Sequence, residues 1–420
     1  MKLQRAHAKT LHAAGILSLA ELTGIGCALD KIAHDCLDTP CPDSDAEDIH
    51  TWLEGRLVES AGDAGRKIHT ARSRNDQVAA LLVMYAIDAG ERLAERFAAF
   101  SRICAEQGKK WSDLAFPLQT HAQFAAPGTV GFWALRYAVA FDRLREFTGL
   151  CLGHWRQFCP LGSGAVAGSL IPIDRRIQAA ELGFREPSPN ALLATSTRDE
   201  CLQLLSIAAQ AALHLQSLAA DVIAFSQTPF AWTIYPGAFG TGSSMMPNKA
   251  NPDAMELLRG ESTAVLAAHA EAVLLLKGLP SGYNRDLQCI KPIVRDAVEK
   301  LLSLSDMATA FMGALDFDRD RLAASMDLGA IDATLRMEAK VRDGVALRDA
   351  HHAVVEELAS APGKSASATS PAGPPAGKGA QAPIFGPDRY QTLGSASPDE
   401  TRRVADELLS KLRSAAAPTR

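Results

Sequence analysis

Five stretches repeat apolar residues at the three-and-four spacing of an α-helix without an internal proline: about 75–107, 129–158, 198–227, 252–278 and 293–315. Each is longer than a typical globular helix of roughly 11–12 residues. In the third, Leu202, Leu205, Ala208 or Ala209, Ala212, Leu215, Ala219 and Val222 trace an apolar stripe with few polar positions between them. That pattern predicts helices buried in a bundle or in an oligomer core. Pro187-Ser188-Pro189-Asn190 and the stretch from Pro229 to Gly242 break the period and read as loops.

Past Phe317 the chain becomes more charged, and a further helical pattern runs through His351, His352, Val355 and Leu358. From Ser360 to Pro383 the sequence is dominated by Ala, Ser, Gly, Pro and Lys. It has too few large apolar groups to offset the entropy of ordering, so a disordered insertion is expected at about 360–388. A last helix is expected from Pro398 to Ala415, with Ser397 as N-cap and acids in its first turn. The predicted class is therefore all-α: a long central helical bundle at 74–316, with smaller helical domains at 1–73 and 317–420.

Composition narrows this picture. With 420 residues, 47% hydrophobic but only 6% aromatic, the interior is made mostly of Ala, Leu, Val and Ile, which suits close helix packing. A net charge of −5 with no Lys/Arg block gives no field for nucleic acid or an anionic membrane surface. The eight cysteines form no C-x-x-C pair and read as small buried apolar residues of a reducing compartment. The N-terminus carries no apolar signal-peptide core and no run looks long enough to span a bilayer, so a soluble, cytoplasmic protein is expected.

Chemistry concentrates in a few segments. Gly242-Ser243-Ser244-Met245-Met246-Pro247-Asn248-Lys249-Ala250-Asn251-Pro252 puts a hydroxyl, an ammonium and a carboxamide into one small-residue loop, suited to a carboxylate that gains charge during reaction. His69-Thr70-Ala71-Arg72-Ser73-Arg74-Asn75-Asp76-Gln77 offers a cluster of donors able to clamp a dicarboxylate. The same residues also suit a helix start capped by Asn75 or Asp76, and residue types alone leave both readings open. Leu118-Gln119-Thr120-His121-Ala122-Gln123 contains a candidate acid/base, although a lone histidine is more often structural. Tyr283-Asn284-Arg285-Asp286-Leu287-Gln288, with Lys291 beyond it, reads by itself as a solvated turn. Gly162-Ser163-Gly164-Ala165-Val166-Ala167-Gly168 has the wrong spacing, and no preceding strand, for a dinucleotide fingerprint.

Together these segments resemble the argininosuccinate lyases of the aspartase/fumarase superfamily. The loop ending at Pro252 is similar to the superfamily signature GSSxMPxKxNP; SDAEDIH, HTARSRNDQV and YNRDLQ point to argininosuccinate lyase in particular. The resemblance implies a mostly helical three-domain subunit that catalyses reversible anti β-elimination of argininosuccinate to arginine and fumarate, without metal or organic cofactor. It implies a homotetramer whose active sites gather segments from three subunits. In that reading Ser243 removes the Cβ proton, while Lys249 and Asn251 hold the adjacent carboxylate. His121, oriented by Glu256, assists protonation of the leaving nitrogen. Arg74, Asn75 and Thr120 bind succinyl carboxylates; Tyr283, Gln288 and Lys291 contact substrate; Arg198 and His50 match further family positions.

The chain also departs from the pattern. It starts inside what reads as the family's first long helix, past a GGRF-like arm. Ala71 stands where the family has glycine, Leu118-Gln119 replaces Gly-Tyr, Ala122, Phe124 and Ala126 replace Leu, Arg and Gln, and Cys289-Ile290 replaces an acidic pair. These changes fall around the substrate rather than on the proposed chemistry. They leave a lyase for another N-succinyl amine or amino acid, or a catalytically silent helical oligomer, as the alternatives.

Overall fold

The computed structural model describes residues 1–38, 45–242, 244–360 and 386–416. The insertion expected at 360–388 falls, apart from its edges, outside these residues, as do Cys41 and Ser243.

The chain opens with α1 (Lys2–Ala13), α2 (Leu19–Asp38), α3 (Ile49–Ala61) and the short α4 (Asp63–Lys67). The 37-residue α5 (Arg74–Lys110) leads into the hairpin β1 (Ala115–Thr120) and β2 (Gln123–Thr129), then α6 (Val130–Trp155). Shorter pieces follow: β3 (Phe158–Cys159), α7 (Arg175–Leu182), β4 (Glu186–Pro187) and α8 (Ala191–Ser196). After α9 (Asp199–Ser226) come β5 (Thr233–Ile234), β6 (Thr241–Gly242) and β7 (Ala250–Asn251). The remainder is α10 (Asp253–Leu276), α11 (Ile290–Ala314), β8 (Asp316–Phe317), α12 (Arg319–Met326), α13 (Ala333–Arg342), α14 (Leu347–Ala359) and α15 (Pro398–Ala416). The fold is all-α and built on long helices, as the apolar period predicts.

Helix ends follow local chemistry. The Asp48 carboxylate accepts from Thr51 N at 2.8 Å at the start of α3, and Asp174, Asn190 and Asp318 cap α7, α8 and α12 in the same way. Ser397 Oγ accepts from Glu400 N at 3.2 Å, the N-cap expected for α15. The strands make four two-stranded pairs that pin loops rather than form a layer. Three of them, β5, β6 and β7, lie where the broken period predicts loop or loop edge.

The chain divides into two compact units, residues 1–92, 147–208 and 267–298 in one, and residues 93–146, 209–266 and 299–420 in the other. In the first unit an aliphatic cluster holds α1 to α4 together, with Leu11, Leu29 and Leu57 fully buried and Leu17, Ile25, Ile32 and Ile68 almost so. In the second, the scarce aromatics are concentrated. Phe97 and Phe100 meet Phe141 edge-on, Trp111 meets Phe317 at 5.0 Å, and Phe116 meets Phe225 at 5.1 Å. Gly131 lies so close to the end of α5 that a Cβ there would sit 2.3 Å from Gly108 O.

By length and composition α9 could cross a membrane, which the sequence reading did not register. It is a core helix: Leu204, Leu205, Ile207 and Ala208 are buried in the first unit, and Ala211, Ala212, Leu215, Leu218, Ala219 and Val222 in the second. Leu202 of the expected stripe is only half-buried. Among the described cysteines Cys104, Cys159 and Cys201 are buried as expected, whereas Cys27 and Cys289 are exposed.

Candidate active site

In the first unit the functional segments meet around the turn between α4 and α5. Ala71, which stands where the family has glycine, adopts φ 59°, a left-handed conformation that a methyl-bearing residue rarely takes. The turn sends Arg72 inward: its side chain is wholly buried, with Nη1 donating to Gln4 Oε1 at 2.6 Å and Nη2 to Glu54 Oε1 at 3.1 Å. Burial lowers the Arg72 pKa to about 10, which leaves it cationic at neutral pH. Arg74 is held on every side. Nη1 donates to Gln77 Oε1 at 2.7 Å and Glu54 Oε1 at 3.3 Å, Nη2 to Thr51 Oγ1 at 3.1 Å, and Nε lies 3.2 Å from Asp48 Oδ2.

Asn75 points its amide at Ala165 O, 3.2 Å away. Asp76 is buried and accepts from Ser73 N at 3.0 Å and Gly164 N at 2.8 Å; burial still pushes its pKa up to about 6. Of the two open readings of Asn75 and Asp76, the cap is thus visible in Asp76, which ties the N-terminal turn of α5 to the glycine-rich loop. That loop needs its glycine: Gly164 has φ 65°, and a Cβ there would fall 2.4 Å from Gly168 O. Arg175 fastens the same loop through Leu161 O, Ser188 O and Ser163 Oγ.

Two histidines beside this network are kept neutral. His7 is buried; its Nε2–H donates to Thr70 O at 2.9 Å, and Nδ1 accepts from Gln178 at 2.7 Å. Burial, aided by the Arg72 charge, lowers its pKa to about 3. His50, in the first turn of α3, is lowered to about 4 by burial and by Arg74. Arg198 is also buried, donating through Nη1 to Thr197 O at 2.5 Å, while its Nε and Nη2 have no hydrogen-bond partner among the described residues. Tyr283 lies near enough to act on its charge. Tyr283 Oη accepts from Gln288 Nε2 at 3.0 Å, and Arg285 reaches within 3.6 Å of Glu47, which sets the YNRDLQ segment beside SDAEDIH. Lys291 is exposed in the first turn of α11. The first unit therefore carries His50, Arg74, Asn75, Arg198, Tyr283, Gln288 and Lys291.

The second unit carries the remaining candidates on two pinned loops. Thr120 pairs with Gln123 at the end of the β1–β2 hairpin, and the two residues between them, His121 at φ 52° and Ala122 at φ 58°, form a type I′ turn. The turn holds His121 exposed at its tip. β6 pairs with β7, Thr241 opposite Asn251 and Gly242 opposite Ala250, which closes the neck of the 243–249 loop. The Thr241 hydroxyl bonds Asp253, and Lys249 N bonds Met246 O at 3.1 Å, with the Lys249 side chain exposed. Tyr235 Oη accepts from Met255 N at 3.3 Å; burial, with the charges of Asp253 and Glu256, pushes its pKa up to about 12, so it stays a neutral phenol. Glu256 is exposed in the first turn of α10 and makes no hydrogen bond or ion pair with His121 in this chain.

Sequence reasoning did not single out Glu54, Gln4 or His7. Glu54 had a signal: Thr51 and Glu54 share one face of α3 at i, i+3 behind the Asp48 cap. Gln4 and His7 had none, because their partners lie more than sixty residues away.

The profile of a family described simply as lyase matches residues 2–267. The argininosuccinate lyase of Legionella pneumophila (strain Paris) is 38% identical over 367 residues, 86% of this chain and 88% of that protein. The chain belongs to the argininosuccinate lyase family. The family's enzyme from Koribacter versatilis is 36% identical over 353 residues, 83% of this chain and 75% of its own length. Among solved structures, an EDDS lyase in complex with formate superposes with a TM-score of 0.81 over 98% of this chain and 85% of that one, at 20% identity. A fumarate lyase from Mesorhizobium sp. BNC1 gives 0.68 over 84% and 81%, at 19% identity. At those identities the structures establish the shared superfamily fold alone.

Proposed function

We propose that this chain splits argininosuccinate reversibly into arginine and fumarate as a carbon–nitrogen lyase. The observation that carries the reading is its kinship with argininosuccinate lyases over more than four fifths of its length, with the signature loop retained. Ser243, outside the described residues, takes the proton from the carbon next to the succinyl carboxylate. The electron pair moves onto that carboxylate, making a doubly charged aci-carboxylate that Lys249 and Asn251 stabilise. Collapse of this species expels the guanidino nitrogen, which accepts a proton from His121, and leaves fumarate. Arg74, Asn75 and Thr120 hold the carboxylates; Tyr283, Gln288, Lys291, Arg198 and His50 support the rest of the substrate. The enzyme works in the cytoplasm as a homotetramer, and His121 and Glu256, unpaired within one chain, pair when copies assemble.

Fumarate release from argininosuccinate, followed by ultraviolet absorbance, tests this. Wild type is expected to turn over, and Ser243→Ala to lose about a thousandfold or more, the scale of removing a group that acts only in the transition state. A folded wild-type protein that releases no fumarate would overturn the substrate assignment. A panel of other N-succinyl amines would then separate a diverged lyase from a silent oligomer.

A further inference from the structure

We propose that Glu54 is a positioning residue for the anion-binding segment Arg72–Asn75, acting through Arg74 without touching substrate. The inference rests on the elimination reading above. One oxygen, Glu54 Oε1, faces three donors: Arg72 Nη2 at 3.1 Å, Arg74 Nη1 at 3.3 Å and His69 Nδ1 at 3.1 Å. Burial acts to raise the carboxyl pKa. The hydrogen bond from His69 and the two arginine charges outweigh it, and Glu54 is held below the usual range as a carboxylate. It is half-buried, with its side chain 20% exposed, so these contacts are only partly screened.

The geometry of Arg74 gives that carboxylate its consequence. A guanidinium has five N–H groups in a fixed plane. Asp48 faces Nε, Glu54 and Gln77 take both hydrogens of Nη1, and Thr51 takes one of Nη2. The second Nη2 hydrogen is uncommitted, and its direction is set by these contacts. Arg74 therefore meets a substrate carboxylate in a fixed orientation, through its uncommitted Nη2 edge. Removing the Glu54 charge frees Arg74 to swing toward Asp48 and leaves Arg72 and Arg74 to repel one another.

Glu54→Gln keeps the size and removes the charge. The expected result is a KM for argininosuccinate raised about tenfold with kcat within about twofold, the signature of lost uniform binding. Amide hydrogen exchange across 69–77 is expected to quicken while the melting temperature stays within a few degrees. A purely electrostatic Glu54, which repels the anionic substrate, would instead give a lower KM in the variant. A purely structural one would speed exchange or lower the melting temperature without moving KM. Either result overturns the proposal, as does no change at all. Should Glu54→Gln fail to fold, Thr51→Val removes one of the same contacts, and KM is expected to rise a few-fold. If wild type itself releases no fumarate, the elimination reading fails. The exchange comparison then still decides whether Glu54 locks the segment.

Discussion

At Ala71 a non-glycine residue holds φ 59° in the turn that aims Arg72 and Arg74. An L-residue in this region is disfavoured by about 1–2 kcal/mol, partly offset by the greater freedom of an unfolded glycine. Ala71→Gly is therefore expected to stabilise the protein by about 1 kcal/mol in denaturant unfolding; an unchanged midpoint would show that the methyl is accommodated without strain. His7 makes a pH argument at the same scale. Its folded pKa of about 3 lies below the ordinary 6.5, so the unfolded chain binds the extra proton. The stability from neutral His7 is full above pH 6.5 and falls as pH drops toward 3, by about 1.4 kcal/mol per unit inside that window. Asp76, raised to about 6, works the other way between about pH 4 and 6. The decisive quantity is thus the difference between wild type and His7→Gln, expected to shrink by about 2 kcal/mol from pH 6.5 to 5; a difference independent of pH would refute the assignment. The Ser243–Pro252 and Arg72–Asp76 segments were legible because their chemistry lies in consecutive residue types. Glu54 and His7 were not, because their roles come from partners brought together by folding.

Among the elements, the α5–α6 approach gives the firmest expectation. A methyl on Gly131 would meet backbone at Gly108 O, 2.3 Å, and Ser112 Cα, 2.8 Å, and neither can move without shifting a helix. Gly131→Ala is expected to cost about 3 kcal/mol or more, read as a lower melting temperature. Gly55 in α3 has nothing within 4 Å of a Cβ, so Gly55→Ala should instead gain up to about 1 kcal/mol from helix propensity. If both variants melt alike, the close packing is not as described. The long helices were readable because an uninterrupted apolar period is a local signal, and the ends of α5, α6, α9, α10 and α11 fall within about three residues of where it stops. The β1–β2 hairpin was hidden. Pro117, Pro127 and Gly128 read as breakers, and His121-Ala122 takes a turn normally marked by Asn-Gly. The β5–β8 pair joins Thr233 to Phe317, a contact too distant in sequence for any local pattern to show.

For the whole molecule, the long helices leave apolar side chains in solvent. Leu150 is 73% exposed and Phe147 46%, three residues apart on one face of α6 in the first unit; Leu257 in the second unit is 63% exposed. Leu150 and Phe147 lie side by side on that face, an apolar patch of the kind that another protein surface covers. His121 and Glu256, paired in the proposed site, are both exposed and make no bond to each other within one chain. An assembly of copies answers both observations, and the proposed homotetramer would have a mass about four times the 44.7 kDa of one chain. Light scattering on the purified protein is expected to return that mass. Leu150→Glu, which would place a charge on the covered face, should shift the mass downward and lower fumarate release together, because a dissociated copy lacks segments of its site. A variant that dissociates yet keeps full activity would show that one chain suffices for the chemistry, and the shared-site proposal would fall while the lyase reading stood.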